Sequence, residues 1–164
     1  MRVTTAIPII SDNFTYVVED GGKALVIDPG EASPILRRLR ETGSALLAVL
    51  LTHDHFDHTA GVDQLVAATG CELVGVPRVA DAGETVLHVG PFTVTVMSTP
   101  GHSADSVCYV FGPEDGATGE VFTGDTLFVG GCGRMFTRAP DVMWASLSRI
   151  ASLPPETLVY CGHD

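Results

Sequence analysis

Thr52-His53-Asp54-His55-Phe56-Asp57-His58 places three imidazoles and two carboxylates in seven residues, directly behind the apolar run Ala45–Leu51. An apolar run of that length reads as a strand buried on both faces. The polar stretch then falls in the loop at its end, where sites are generally built. His53 and His55 stand at i, i+2 and point the same way in an extended segment. Asp57 and His58 need a turn before they can face a second position. A solvated loop after a buried strand is the bland alternative, but it gives no reason for so many metal-ligating side chains in one place. The spacing fits two ions that share one loop.

The rest of the chain sets the frame. It has 164 residues, which predicts one domain, and 45% are hydrophobic, enough for a sizeable core. Eighteen glycines and ten prolines suit a loop-rich protein. The net charge of −11 argues against a nucleic-acid partner, which calls for a basic face. No apolar run reaches membrane-spanning length, and Met1–Ile10 makes a poor signal peptide, so a cytoplasmic protein is expected. Cys71, Cys108, Cys132 and Cys161 are scattered without a C-x-x-C pair and read as reduced packing residues.

Tyr16-Val17-Val18 and Ala24–Ile27 flank the turn Asp20-Gly21-Gly22, a hairpin signal. Ser33 is the predicted N-cap and Pro34 the first residue of a helix with Ile35, Leu36 and Leu39 on its apolar stripe, closed by Gly43. Val62, Leu65 and Val66 predict a second helix ending at Gly70, and Met143, Leu147 and Ile150 a third before Pro154-Pro155. Strands are expected at Leu73–Val76, at the alternating Phe92–Val96, at Val107–Phe111 with Glu120–Thr123 as a hairpin, and at Thr157–Cys161. Many short strands with three separated helices predict an α+β protein, two sheets with helices outside.

Three more strand ends repeat one format: Pro100-Gly101-His102-Ser103, Thr123-Gly124-Asp125-Thr126 and Cys161-Gly162-His163-Asp164. Each presents one His or Asp after a glycine. Singly, each residue is an ordinary loop histidine or turn aspartate. Together with the first loop they are hard to explain that way. His88 and Asp54 fit no ligand position.

The segments Ser11–Tyr16, Ile27–Ala32, Thr52–His58, Thr99–Ser103, Thr123–Arg134 and Leu158–His163 resemble the metallo-β-lactamase superfamily, and more narrowly glyoxalase II, the hydroxyacylglutathione hydrolases. The run Gly124–Arg134 is the most family-specific. The resemblance implies a four-layer αββα sandwich. It also implies two divalent transition-metal ions, zinc first, with iron and manganese compatible with the same donors. His53, His55 and His102 would hold one ion, Asp57, His58 and His163 the other, and Asp125 would bridge them, so that Asp57 and Asp125 are also the catalytic carboxylates. Asp28 would support the metal loop from outside the ligand set. Arg134 and Phe136 would contact the substrate, Phe136 standing where relatives carry an aromatic hydroxyl. The implied reaction is hydrolysis of a glutathione thioester such as S-lactoylglutathione. A metal-bridging hydroxide is available because bound water falls to a pKa of about 7. A thiol of pKa about 8.5 leaves as thiolate with little help.

Glyoxalase II proteins continue past the last histidine into a helical region with basic residues, whereas this sequence stops at Asp164. The expectation is a catalytic domain over 1–164 without the helical substrate-binding domain. Two alternatives stand beside the thioesterase. One is a mononuclear iron persulfide dioxygenase of the same superfamily, which would use only His53, His102 and Asp125. The other is a metal-binding core fragment with little turnover.

Overall fold

The computed structural model describes residues 1–76, 83–113, 118–137 and 139–164. The first sheet carries β1 (Val3–Ile9), β2 (Asn13–Asp20), β3 (Lys23–Ile27), β4 (Ala45–Leu50) and β5 (Glu72–Gly75), in that order. Between β3 and β4 lies α1 (Ala32–Thr42); between β4 and β5 lie the single turn α2 (Phe56–Thr59) and α3 (Val62–Thr69). The second sheet is built from β6 (Glu84–Val89), β7 (Phe92–Ser98), β8 (Val107–Phe111), β9 (Glu120–Gly124) and, after α4 (Pro140–Ala151), β10 (Leu158–Cys161), in the order β10-β9-β8-β7-β6.

The layering follows from strand periodicity. On β2, β3 and β4 one set of side chains (Tyr16, Val18, Leu25, Ile27, Ala48, Leu50) meets Val94, Val96, Tyr109, Phe111 and Phe122 of the second sheet. The alternate set (Val17, Ala24, Val26, Val49) packs under Ile35 and Leu39 of α1 and Leu65 of α3. Ile150 of α4 covers Met97, Cys108 and Val121 on the far face. The expected αββα sandwich is therefore the observed one.

Most predicted elements stand where the residues put them. Gly21 and Gly22, both at positive φ, close the β2–β3 hairpin, and left-handed Gly43 and Gly70 end α1 and α3. The first helix differs at its start. It begins at Ala32, with Glu31 as an N-cap that makes no side-chain cap bond, so Ser33 lies inside the first turn. Ala32 is buried against the first sheet, and that contact outweighs a cap two residues later. Three elements had no sequence prediction: β1, β6 and α2. β1 is an edge strand, where Pro8 costs no ladder bond. The four cysteines are unpaired; Cys71, Cys108 and Cys161 are buried and Cys132 is exposed. No helix among the described residues is long and apolar enough to cross a membrane.

Candidate metal centre

All four candidate loops meet at one end of the sandwich. The first follows β4, and α2 supplies the turn that swings Asp57 and His58 away from His53 and His55. The chain after β7 carries His102, that after β9 carries Asp125, and that after β10 carries His163. Glycine lets these loops approach: a Cβ on Gly162 would lie 2.6 Å from Asp125 Oδ1 and 2.8 Å from His58 Cε1. Gly124 sits at φ +48°, packed on the Thr52 side chain.

Two triads of donor atoms result, His53/His55/His102 and Asp57/His58/His163, each with its atoms within 4.8 Å of one another. Asp125 lies between them. Its Oδ2 is 3.4 Å from His102 Nε2, while its Oδ1 is 3.3 Å from His58 Nε2 and 3.4 Å from His163 Nε2. Residues separated by up to 110 positions thus point into one volume, with one carboxylate oxygen toward each triad.

The supports of the imidazoles fix which nitrogen points inward. Asp28 accepts from the Thr52 backbone N–H at 2.7 Å and the Thr52 hydroxyl at 2.6 Å. With its proton committed to Asp28, Thr52 Oγ1 is left to accept from His53 Nδ1 at 3.0 Å. His58 Nδ1 donates to Asp28 Oδ2 at 3.0 Å, and His102 Nδ1 to the Arg134 carbonyl at 2.8 Å. Each of these three rings spends its Nδ1 proton on an outer oxygen and turns Nε2 into the cluster. His53 Nε2 and Asp125 Oδ1 are buried without a hydrogen-bond partner. Imidazole nitrogens and carboxylate oxygens converging on one volume are the donor set of a divalent transition metal, which would displace any proton held there, so the residues present fit one.

The electrostatics agree. Burial pushes His53 down to about 4, helped by the neighbouring His58. Burial also opposes a charge on His58, but the Asp125 and Asp28 carboxylates beside it prevail and raise it to about 10. Asp125 is held below the usual carboxylate range: burial opposes this, and the close approach of the His58 imidazole, with His53 and His163 beyond it, outweighs burial. Two imidazoles with ring centres 4.2 Å apart are thus driven in opposite directions, because the pocket's carboxylates call for positive charge at one particular place.

Phe136 lies at the mouth, edge-on to His55 and His102 with ring centres 5.4 Å from each, and the Arg134 guanidinium sits 5.2 Å from its centroid. Both side chains are exposed. Arg134 has a second part that its sequence position does not reveal, the backbone carbonyl that orients His102. Sequence reading missed Thr52, the hydroxyl link between Asp28 and His53, and Asn13, whose Nδ2 donates to Asp57 Oδ2 at 3.0 Å. Asp54 is exposed, and His88 lies on β6 at 3.3 Å from Thr93 Oγ1, neither in the cluster. A separate apolar groove along α4 and β10, lined by Trp144, Leu147, Leu153 and Val159, holds none of these donors.

A model of the metallo-beta-lactamase superfamily matches residues 11–91 and 82–163. The chain belongs to that superfamily. Among curated relatives, a hydroxyacylglutathione hydrolase of Hahella chejuensis is 41% identical over 166 residues, which cover 96% of this chain and 64% of the relative. The chain therefore spans a little under two thirds of that relative's length. Among solved structures, BLEG-1, a B3 metallo-beta-lactamase, superposes with a TM-score of 0.86 at 27% identity, covering 99% of this chain and 92% of that one. TTHA1623 in a di-iron-bound form superposes with a TM-score of 0.77 at 31% identity, with the same two coverages. Divalent-metal binding in this chain is supported by its superfamily membership and by its His/Asp clusters together.

Proposed function

We propose that this chain is a binuclear metal-dependent hydrolase that cleaves a glutathione thioester, with His53, His55 and His102 holding one ion, Asp57, His58 and His163 the other, and Asp125 shared. The observation that carries the reading is the position of Asp125, one oxygen toward each of two complete triads. A mononuclear iron dioxygenase built on His53, His102 and Asp125 would leave Asp57, His58 and His163 converging for no purpose. The name borne by the curated relatives supplies the substrate class, and the di-iron-bound TTHA1623 supports the count of two.

Bound ions would supply Lewis acidity toward the thioester carbonyl and a water acidic enough to attack it near neutral pH. The chain's own residues do the rest. Asp28, through Thr52 and directly, holds His53 and His58 in the tautomer that offers Nε2. The Arg134 carbonyl does the same for His102. With Nε2 given to an ion, these rings would have no proton for a leaving group, and a thiolate needs none. An amine leaving group would need one. Arg134 and Phe136 offer a charge and an apolar ring at the mouth for an anionic thiol such as glutathione.

Elemental analysis of the purified chain, run with an S-lactoylglutathione hydrolysis assay, tests this reading. The expected result is two transition-metal ions per chain and turnover that is lost on chelation and regained on reloading. One ion per chain with oxygen consumption, or two ions with no thioester turnover, would overturn it. A β-lactam assayed in parallel separates the activity from that named for BLEG-1.

A further inference from the structure

We infer that Asn13 is a positioning residue for the half of the centre formed by Asp57, His58 and His163, and that the turn between β1 and β2 is the clasp that holds that half together. The inference rests on the binuclear reading proposed above.

Asp57 gains little constraint from its own element. It sits on a single helical turn, and its side chain is 39% exposed. His58 Nε2 and His163 Nε2 lie 3.8 and 3.5 Å from its Oδ2, too far for hydrogen bonds. Asn13 is buried at 3% exposure, and its Nδ2 meets that same oxygen at 3.0 Å. Nδ2 also lies 3.5 Å from the Asp57 carbonyl and 3.5 Å from His163 Nε2. One amide group therefore touches the side chain and the backbone of one candidate ligand and the ring of another, at the point where the triad converges.

The backbone beside Asn13 makes the same connection. Asn13 and His163 form an antiparallel bridge. Phe14 N–H donates to the Gly162 carbonyl at 2.9 Å, and Asp164 N–H reaches the Asp12 carbonyl at 3.3 Å. Tyr16 Oη donates to the Cys161 carbonyl at 2.5 Å. The start of β2 thus runs alongside the whole Cys161–Asp164 segment that carries His163. Ile10 turns the chain into this position at φ +55°, in the left-handed region that a β-branched residue rarely enters. A neutral amide suits the place. It fixes the carboxylate without bringing a charge that would compete with a cation for it, as an arginine or lysine there would.

The test is a titration of chelator-stripped wild type, Asn13→Ala and Asn13→Leu with Co²⁺, reading ion count and dissociation constants against a competing chelator. Leucine keeps the branching of asparagine at Cγ and loses the donor, while alanine removes the donor without adding bulk. The expected result is a first ion bound as in wild type and a second ion weakened by about 10–100-fold in both variants. A second ion held as tightly as in wild type would overturn the clasp and leave the binuclear reading standing. Equal weakening of both ions, or failure of both variants to fold, would show that Asn13 serves the fold and would also overturn it. Wild type that takes up a single ion would overturn the binuclear reading itself, and the clasp with it.

Discussion

The two ends of the sandwich treat buried carboxylates in opposite ways. At the end remote from the histidines, Glu120 pairs with Arg2 at 2.7 Å, both side chains under 10% exposed, and Arg2 also bonds the Gly112 carbonyl. Glu19 accepts two bonds from Arg38, at 3.0 and 2.6 Å, and one from Ser44 at 2.6 Å. Each acid there has its cation built in. At the histidine end, buried Asp125 and half-exposed Asp57 have no arginine or lysine partner among the described residues, only imidazoles, of which His58 is the one that Asp125 and Asp28 drive toward positive charge. β2 and β9 run through both ends, so the difference does not come from the strands. It comes from what the loops bring: a fixed guanidinium at one end, titratable imidazoles at the other. A buried carboxylate without a fixed cation is costly, and a bound divalent ion would offset that cost at Asp125.

The largest contrast comes from one strand, β9, and its flanks. Asp125→Ala should lose most bound metal and all measurable thioester turnover, whereas Glu120→Gln at the other end should keep wild-type metal content; elemental analysis of the two variants decides. Glu120→Gln should instead cost about 1–3 kcal/mol in denaturant unfolding, because it takes the charge from a bond to Arg2 whose two side chains are both buried. A variant that lost metal as well would show that the two ends are not independent. Asp28→Asn should weaken metal binding by about 10–100-fold while all the ligands remain, since it disturbs the tautomers of His53 and His58 together; chelator competition measures it. Glu19→Gln should cost about 1–3 kcal/mol near neutral pH. The sign is fixed by the shift. Burial works against the charge on Glu19, but the bonds from Ser44, Thr42 and Arg38 outweigh it and hold the carboxyl below its ordinary 4.5. Its contribution is therefore present above about 4.5 and lost as pH falls through the folded value. The stability curves of wild type and variant should converge in acid; a gap that stays constant would contradict this. Ser33→Ala should change stability by less than about 0.5 kcal/mol, because Glu31 and not Ser33 stands at the N-cap of α1.

The strands and helices legible in the sequence are those whose burial is strongly patterned, such as β4, β7 and α4. β1 and β6 went unread because their faces are only partly covered, and what makes them strands is pairing with β2 and β7. α2 is too short to show a period. The seven candidate ligands were legible because each is a ligating residue type in a glycine-marked loop. Thr52 and Asn13 were not. A threonine before a histidine and an asparagine in a turn are ordinary choices, and their importance lies in bonds to Asp28 and Asp57, 24 and 44 positions away.

The sequence by itself determined which side chains could hold metal, the αββα layering and the superfamily, because these depend on residue type, spacing and hydrophobic period, all of which are local. Only the tertiary structure decided which nitrogen of each ring points inward, that Asp125 offers one oxygen to each triad, that the Arg134 carbonyl orients His102, and that the β1–β2 turn grips the His163 segment. Those facts depend on the direction of a hydrogen bond between groups distant in the chain, and direction is set by the packing of one sheet against the other.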